Sequence, residues 1–206
     1  MITTRELRES DIHDLAMIIA DKWGSSELKN DAPMAEHYGK AMLFSTISES
    51  DCIYVLSDDG KAAGLIAGIN KRRKKTSEQY VQRFLNETDL LKEDKVGAWN
   101  LMEWLKFRDK NSRFAQEYPV GCYDAEITLF VIGSEYRSRG FGKKLFQDMV
   151  RWFRNQGLKS FYLHSDSSSN HGFYSAQGML LVAMTTSDVS LSGQDNIDLF
   201  IYKSNT

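Results

Sequence analysis

The sequence predicts an α/β (α+β) fold in which strand-like runs and amphipathic helices alternate along 206 residues. Three observations carry that prediction. The chain opens in the order strand, helix, helix, strand, strand. An apolar run, Ile127 to Ile132, then feeds a helix reaching about Asn155 through the glycine-bearing turn Arg137-Ser-Arg-Gly-Phe-Gly142. The C-terminal stretch returns to strand, short helix, strand and strand. Internal repeats and low-complexity tracts are absent.

The elements follow in order. Ile2 to Arg8 forms the first strand. Ser10 stands as N-cap of a helix that puts Ile12, Leu15, Ala16, Ile19 and Trp23 on one face and closes at Gly24. Polar residues from Asn30 to Pro33 lead into a second helix, Met34 to Ser48, with a less regular apolar face of Met34, Tyr38, Ala41 and Met42. Cys52 to Leu56 and Ala62 to Ile69 flank the turn cluster ending at Gly60 and pair as a β-hairpin. The stretch Lys71 to Gly121 reads as helical and folded. Thr76 and Gln79 fit a capping box there, Tyr80, Val81, Phe84 and Leu85 share one side, and a further helix runs from Val96 into the Lys106 region on Trp99, Met102 and Leu105. Phe114 and Tyr118 lie beyond it, and this aromatic content argues against disorder. The helix after the glycine turn repeats Leu145, Phe146, Met149, Val150 and Phe153 at helical spacing and stops at Gly157. Strand Leu158 to His164, a short helix Asn170 to Gln177, and strands Met179 to Met184 and Ile197 to Tyr202 complete the chain.

Composition narrows the function. Hydrophobic residues make up 42% of the chain, enough for a core, and the formal charge of −2 gives no global pull toward nucleic acid or an anionic membrane. Cys52 and Cys122 are too few for a disulfide framework, the N-terminus carries no secretory signal, and no apolar run approaches membrane-spanning length. A cytoplasmic protein with neither nucleic-acid nor membrane partner is the expectation, and the sequon at Asn86 is then without consequence. His13, His37, His164 and His171 show no ligand spacing, so no metal is expected. The basic run Lys71 to Lys75 reads as a solvated face, or as a means of steering phosphates or an acidic acceptor.

The glycine turn is an anion site in physical terms. The first turn of a helix leaves backbone N–H groups without partners, and the helix dipole adds positive character there. A pyrophosphate satisfies both. Gly140 and Gly142 let phosphate oxygens approach the backbone, and Arg137, Arg139, Lys143 and Lys144 bring positive charge.

In this context Arg137-Ser-Arg-Gly-Phe-Gly142 resembles the loop of the GNAT superfamily of N-acetyltransferases, (Gln or Arg)-x-x-Gly-x-(Gly or Ala), which follows the fourth strand. Phe173-Tyr174-Ser-Ala-Gln-Gly178-Met179 resembles the aromatic-Tyr-x-x-x-Gly-Phe pattern near the end of that fold. The resemblance implies one domain over residues 1–206, with a mixed, twisted sheet flanked by helices and a helical insertion at about 71–121 between strands three and four. It also implies acetyl-CoA as co-substrate, held by Phe130, Val131, Ile132, Arg137, Ser138, Arg139, Gly140, Phe141, Gly142, Lys143, Asn170 and Tyr174.

Acetyl transfer to an amine needs a base, an oxyanion donor and an acid for the thiolate. The resemblance places the base at Glu126, with Asp124 and Glu135 as alternatives and the start of an exposed strand edge as the structural reading of Glu126. It places the oxyanion donor at the Phe130 N–H and the acid at Tyr174, whose structural alternative is a packed core aromatic. Ser167 and Asn170 stand where the family usually has Asn and Ala, and Asn170 reads equally as a cofactor contact or an N-cap. The expected function is direct acetyl transfer in a ternary complex to a primary amine on a small molecule, a peptide or a protein. The alternative is a non-catalytic acyl-CoA sensor or interaction module. The insertion has two readings, a wall of the acceptor pocket or a homodimer contact. A dinucleotide-binding fold is the rival enzyme reading of Gly140-x-Gly142 with Asp166, but Leu145 replaces the third glycine and too little chain follows Asp166.

Overall fold

Strand β1 (Ile2–Glu6) runs through a 3-10 turn (Glu9–Asp11) into helix α1 (Ile12–Trp23). This is a computed structural model, and it describes residues 1–206 apart from 74, 119, 192, 193 and the side chain at 171. Asp11, rather than Ser10, stands before the first residue of α1. Its carboxylate accepts the Arg8 N–H and meets both Arg5 guanidinium nitrogens at 2.6 and 2.7 Å, so strand and helix are tied at their junction.

The one-turn helix α2 (Ser26–Lys29) is too short to show a period in sequence, and it forms because Ser25 caps the Leu28 N–H while Leu28 is buried. Helix α3 (Ala32–Glu49) starts two residues earlier than the apolar pattern suggests: Asp31 caps it at the Met34 N–H, and Pro33 is tolerated in a first turn whose N–H groups need no helical acceptor. Helices α1 and α3 cross at Gly39, where an added Cβ would lie 2.0 Å from the Ala16 carbonyl oxygen. Gly39→Ala is expected to force the helices apart, cost about 3 kcal/mol and lower Tm by roughly 10 °C. A thermal melt unchanged within about 2 °C would show that the crossing relaxes freely.

Strands β2 (Cys52–Asp58) and β3 (Lys61–Asn70) form the expected hairpin, with Asp59 at φ 46° and Gly60 at φ 92°, the two left-handed positions of a type I′ turn. Two helices, α4 (Glu78–Glu93) and α5 (Lys95–Glu117), separate β3 from strand β4 (Ala125–Ile132). The Thr76–Gln79 capping box does not form: Ser77 precedes α4 and makes no side-chain cap. Asp94 ends α4 and caps α5 at the Gly97 N–H. Helix α5 continues well past Lys106, because Asn111 and Phe114 extend its buried face. The basic run is a solvated face at Arg72, Arg73 and Lys75, which are exposed, and its members are also tied to neighbours. Arg72 pairs with Asp124, Arg73 with Asp51, Lys75 bonds the Ser50 carbonyl and Lys71 the Val120 carbonyl, while Lys74 lies outside the described residues.

Helix α6 (Phe141–Asn155), strand β5 (Ser160–Asp166), helix α7 (His171–Ala176) and strands β6 (Leu180–Thr186) and β7 (Asp198–Asn205) complete an open sheet of order β1-β2-β3-β4-β5-β7-β6. Gly157, at φ 71°, follows the end of α6 in the left-handed conformation that stops a helix. All neighbours in the sheet are antiparallel except β4 and β5. That mixed sheet excludes the doubly wound dinucleotide fold, whose strands run parallel.

The sheet has a core on each face. Leu15, Ile19, Phe44, Val55 and Leu65 join it to α1 and α3, and Leu145, Phe146, Met149 and Phe153 of α6 cover Ile66, Ile127 and Phe161 on the other side. Gly68 leaves room under α6, since a Cβ there would meet Met149 Sδ at 2.7 Å. In a third cluster Phe114 of α5 packs against Val189, Ile197, Leu199 and Ile201. Helix α5 therefore reaches from α3 across to the β7 side of the sheet.

Candidate active site

Strands β4 and β5 pair only at Ala125–Phe161, Glu126–Tyr162 and Ile127–Leu163, and then they part. The cause is visible in β4. Opposite Ala67 and Gly68 the register jumps from Leu129 to Ile127, so Thr128 is an extra residue, a β-bulge that bends the strand away. Backbone directions follow from the bonds that flank it. Gly133 donates to the Ala63 carbonyl and Lys71 to the Asp124 carbonyl. By antiparallel alternation Val131 and Leu129 bond toward β3, whereas Phe130 and Ile132 turn their N–H and C=O groups toward the gap that β5 has left.

The bulge also exchanges the faces. Glu126 shares a face with its register partner Tyr162, and past Thr128 that face is continued by Leu129 and Val131, which pack with the α1 and α3 core. Phe130 and Ile132 pack instead on the α6 side, Phe130 against Phe146 and Phe173 with ring centroids 6.4 and 5.5 Å apart. Glu126 and the Phe130 side chain thus lie on opposite faces of one strand.

The glycine turn meets this gap from the α6 side. Ser138 at φ 59° and Gly140 at φ 82° curl the chain, and the first intrahelical bond of α6 runs from the Lys144 N–H to the Gly140 carbonyl, so the N–H groups of Phe141, Gly142 and Lys143 lie ahead of it. Among the described residues no side chain caps them. A Cβ on Gly142 would stand 3.6 to 3.9 Å from Phe130, Phe173 and Ile132, and that packing fixes the turn against β4. Arg137 Nε donates to the Ile132 carbonyl at 2.9 Å, and the Arg139 guanidinium lies 5.1 Å from the Phe141 ring centroid. Lys143 is exposed beside the turn. Lys144 is drawn off to Thr4 and Asp148 and adds no charge there, contrary to expectation.

Where β5 ends, Tyr174 of α7 is buried, its ring 5.4 Å from Phe173 and 5.2 Å from Tyr202. Burial holds its hydroxyl well above the usual phenol pKa, with Ser165 offsetting part of the rise, so it keeps its proton at neutral pH. Asn170 precedes α7 at the N-cap position, exposed and making no capping bond. Ser167 Oγ accepts the Asp198 N–H, which directs it to β7.

Tyr174, Phe130 and Glu126 line one cavity of about 820 Å³. Its floor is the parted end of β4 and β5, its side is the end of α3 with Ser45 and Glu49, and its roof is α5 from Trp104 to Gln116. Glu126 accepts the Tyr162 hydroxyl at 2.5 Å. Burial raises the Glu126 pKa, opposed by Tyr162 and Lys71. His164, on the same face as Tyr162 and in edge contact with it at 5.6 Å, has its pKa pushed down to about 4 by burial and by Lys71, so it is a neutral imidazole. Asp124 is committed elsewhere: it accepts the Lys159 N–H, which with Arg72 lowers its pKa. Glu135 is exposed in the 3-10 turn after β4, outside the cavity. Among the described residues no group of three or more His, Cys, Asp or Glu side chains could hold a metal ion, and no helix is long and apolar enough to cross a membrane.

A parted β4/β5 pair, a glycine turn at a helix start and a buried tyrosine beyond β5 are one arrangement, and the family model that matches residues 15–179 is described as the acetyltransferase (GNAT) family. The chain belongs to the GNAT acetyltransferase family. No curated protein matches it by sequence. Among solved structures it is similar to the ribosomal-protein-S18-alanine N-acetyltransferase from Escherichia coli, at 12% identity over 100% of this chain and 94% of that one, with a TM-score of 0.55. A GNAT family acetyltransferase from Elizabethkingia anophelis with acetyl-CoA bound matches at 12% identity over 100% and 98%, TM-score 0.53. One from Streptococcus pneumoniae matches at 13% identity over the whole of both chains, TM-score 0.51.

As a GNAT protein the chain is an acyltransferase of a family that draws its acetyl group from acetyl-CoA. The residues present fit that co-substrate, because the turn offers uncapped N–H groups at an exposed, left-handed bend and the strand beside it turns unpaired N–H groups into a gap. The GNAT motifs drew attention to Glu126, Phe130 and Tyr174. They did not reach Tyr162, Lys71 or His164, or the α5 roof. A cue for Tyr162 and His164 was available, since both lie on alternate positions of a strand whose partner carries Glu126, but the pairing that unites them is not local.

Proposed function

We propose that this GNAT protein transfers an acetyl group from acetyl-CoA directly to a primary amine within a ternary complex, the whole chain acting as one domain whose 71–121 insertion walls the acceptor side. The observation that carries the reading is the parting of β4 and β5 with Glu126, the Phe130 N–H and Tyr174 along one cavity. The pyrophosphate lies on the N–H groups of Phe141, Gly142 and Lys143, with Arg137, Ser138, Arg139 and Gly140 forming the rest of the turn. The pantetheine arm runs along β4 past Ile132 and Val131, with Asn170 at the mouth of α7. The amine enters from the α1, α3 and α5 face. An alkylammonium has a pKa near 10.4 and must lose a proton before attack, and Glu126, on that face, receives it directly or through water. The Phe130 N–H holds the oxyanion as charge develops, and Tyr174 protonates the departing thiolate.

Initial rates over a grid of acetyl-CoA and amine concentrations are expected to give intersecting reciprocal lines. A parallel pattern, or an acetylated enzyme on the pathway, would sink direct transfer. Glu126→Gln is expected to lower kcat/KM about 10²-fold near neutral pH. The sign with pH follows from the raised carboxyl pKa: Glu126 is protonated and unable to accept a proton at low pH, so activity rises with pH through that value, and the Gln variant loses this limb. An unaltered acid limb in Glu126→Gln would remove Glu126 from the proton path.

A further inference from the structure

The roof over the acceptor side decides more than pocket shape. Helix α5 is tied down on both sides of the gap. On the α3 side Arg108 donates to Ser45 Oγ at 2.6 Å. On the β7 side Glu103 accepts the Ser190 N–H, Lys110 pairs with Asp188, and Phe114 is buried among Val189, Ile197 and Leu199. A polypeptide laid across the parted strands would have to cross beneath this helix.

The charges inside are as informative. Each carboxylate in the wall already has a partner: Glu126 accepts from Tyr162, Asp166 from the Ser168 N–H, and Glu49 stands 3.8 Å from Arg108. Lys71 differs. Its Nζ donates to the Val120 carbonyl at 2.8 Å and lies 4.6 Å over the Tyr162 ring, and among the described residues it makes no ion pair. An ammonium has three donors, so Lys71 keeps two for an anionic oxygen. The wall also carries an apolar and aromatic patch, Trp23, Trp104, Phe107 and Leu129, among polar residues such as Thr46, Asn111 and Ser112.

Resting on the acetyltransferase reading above, we propose that the acceptor is a free amino acid with a large apolar side chain, enclosed beneath α5, its carboxylate on Lys71 and its body against the aromatic wall. The step balances as follows. The amine nitrogen bonds to the acetyl carbon and the carbon–sulfur bond breaks. The ammonium form gives up two protons: one passes through Glu126 to solvent, and the other returns to Tyr174 in place of the proton Tyr174 gave to sulfur, leaving N-acetyl amino acid, CoA thiol and one released proton.

The test measures thiol release and product mass with phenylalanine, tryptophan, leucine and methionine beside 2-phenylethylamine, spermidine and a lysine-containing peptide. Wild-type protein is expected to prefer phenylalanine over 2-phenylethylamine in kcat/KM by about tenfold or more, the worth of one charge-assisted hydrogen bond. In Lys71→Met the ratio should fall to about one, and Lys71→Arg should restore part of it. Calorimetric acetyl-CoA binding by each variant checks folding. If acetyl-CoA binds and 2-phenylethylamine, spermidine or the peptide is the better acceptor, or none of the amino acids is turned over, the inference is overturned while acetyl transfer stands. A phenylalanine preference unchanged in folded Lys71→Met also overturns it. Absence of acetyl-CoA binding removes both.

Discussion

Tyr174→Phe is expected to lower kcat about 10²-fold or more while acetyl-CoA affinity stays as in the wild type. The substitution removes one oxygen from a ring that is buried between Phe173 and Tyr202, so packing is retained and only the proton donor is lost. Burial raises the Tyr174 pKa and keeps the hydroxyl protonated across the neutral range, and it lies on the wall of the cavity that Glu126 also lines. Loss confined to kcat assigns the group to the departing thiolate. A variant with wild-type turnover would return Tyr174 to the role of a packed aromatic, and wild-type protein that binds acetyl-CoA but acetylates no amine would favour the sensor reading.

Gly140→Glu should weaken acetyl-CoA binding by about 100-fold or more, read by calorimetric titration. Two effects add. Gly140 sits at φ 82°, where a Cβ is strained by roughly 1 kcal/mol or more, and the new carboxylate stands at the helix start that attracts phosphate. An added Cβ meets nothing within 4 Å, so there is no steric clash to confuse the outcome. Gly140→Ala isolates the backbone term and is expected to cost only about fivefold. If Ala and Glu weaken binding equally, the electrostatic account of the turn is wrong. Unchanged binding in both would place the pyrophosphate elsewhere.

Much of this was legible in the sequence because its causes are local. Helix α6 announces itself through Leu145, Phe146, Met149 and Phe153, the hairpin through Asp59 and Gly60, and α1 through its apolar stripe and Gly24, whose N–H bonds the Ala20 carbonyl. Where the local cues competed, the boundaries moved. Ser10 and the Thr76–Gln79 pair had capping chemistry but lost to Asp11, held by Arg5, and to Ser77, whose N–H bonds the Ser48 carbonyl. Helix α5 outran its predicted end because Phe114 is buried by β7, a contact that spacing along α5 does not reveal.

By itself, then, the sequence determined the kinds of element and the glycine turn at the start of α6, since propensity, period and capping act within a few residues, while Tyr174 was marked only by the family pattern. Only the tertiary structure decided how they act together. The bulge at Thr128 put Glu126 and Phe130 on opposite faces, although plain alternation would have put them on the same one. Strand pairing brought Tyr162 to Glu126, and α5, anchored on both sides of the gap, roofed the open cavity that Lys71 lines. Register, bulges and burial are set by partners far along the chain, and those partners become neighbours only once the sheet has formed.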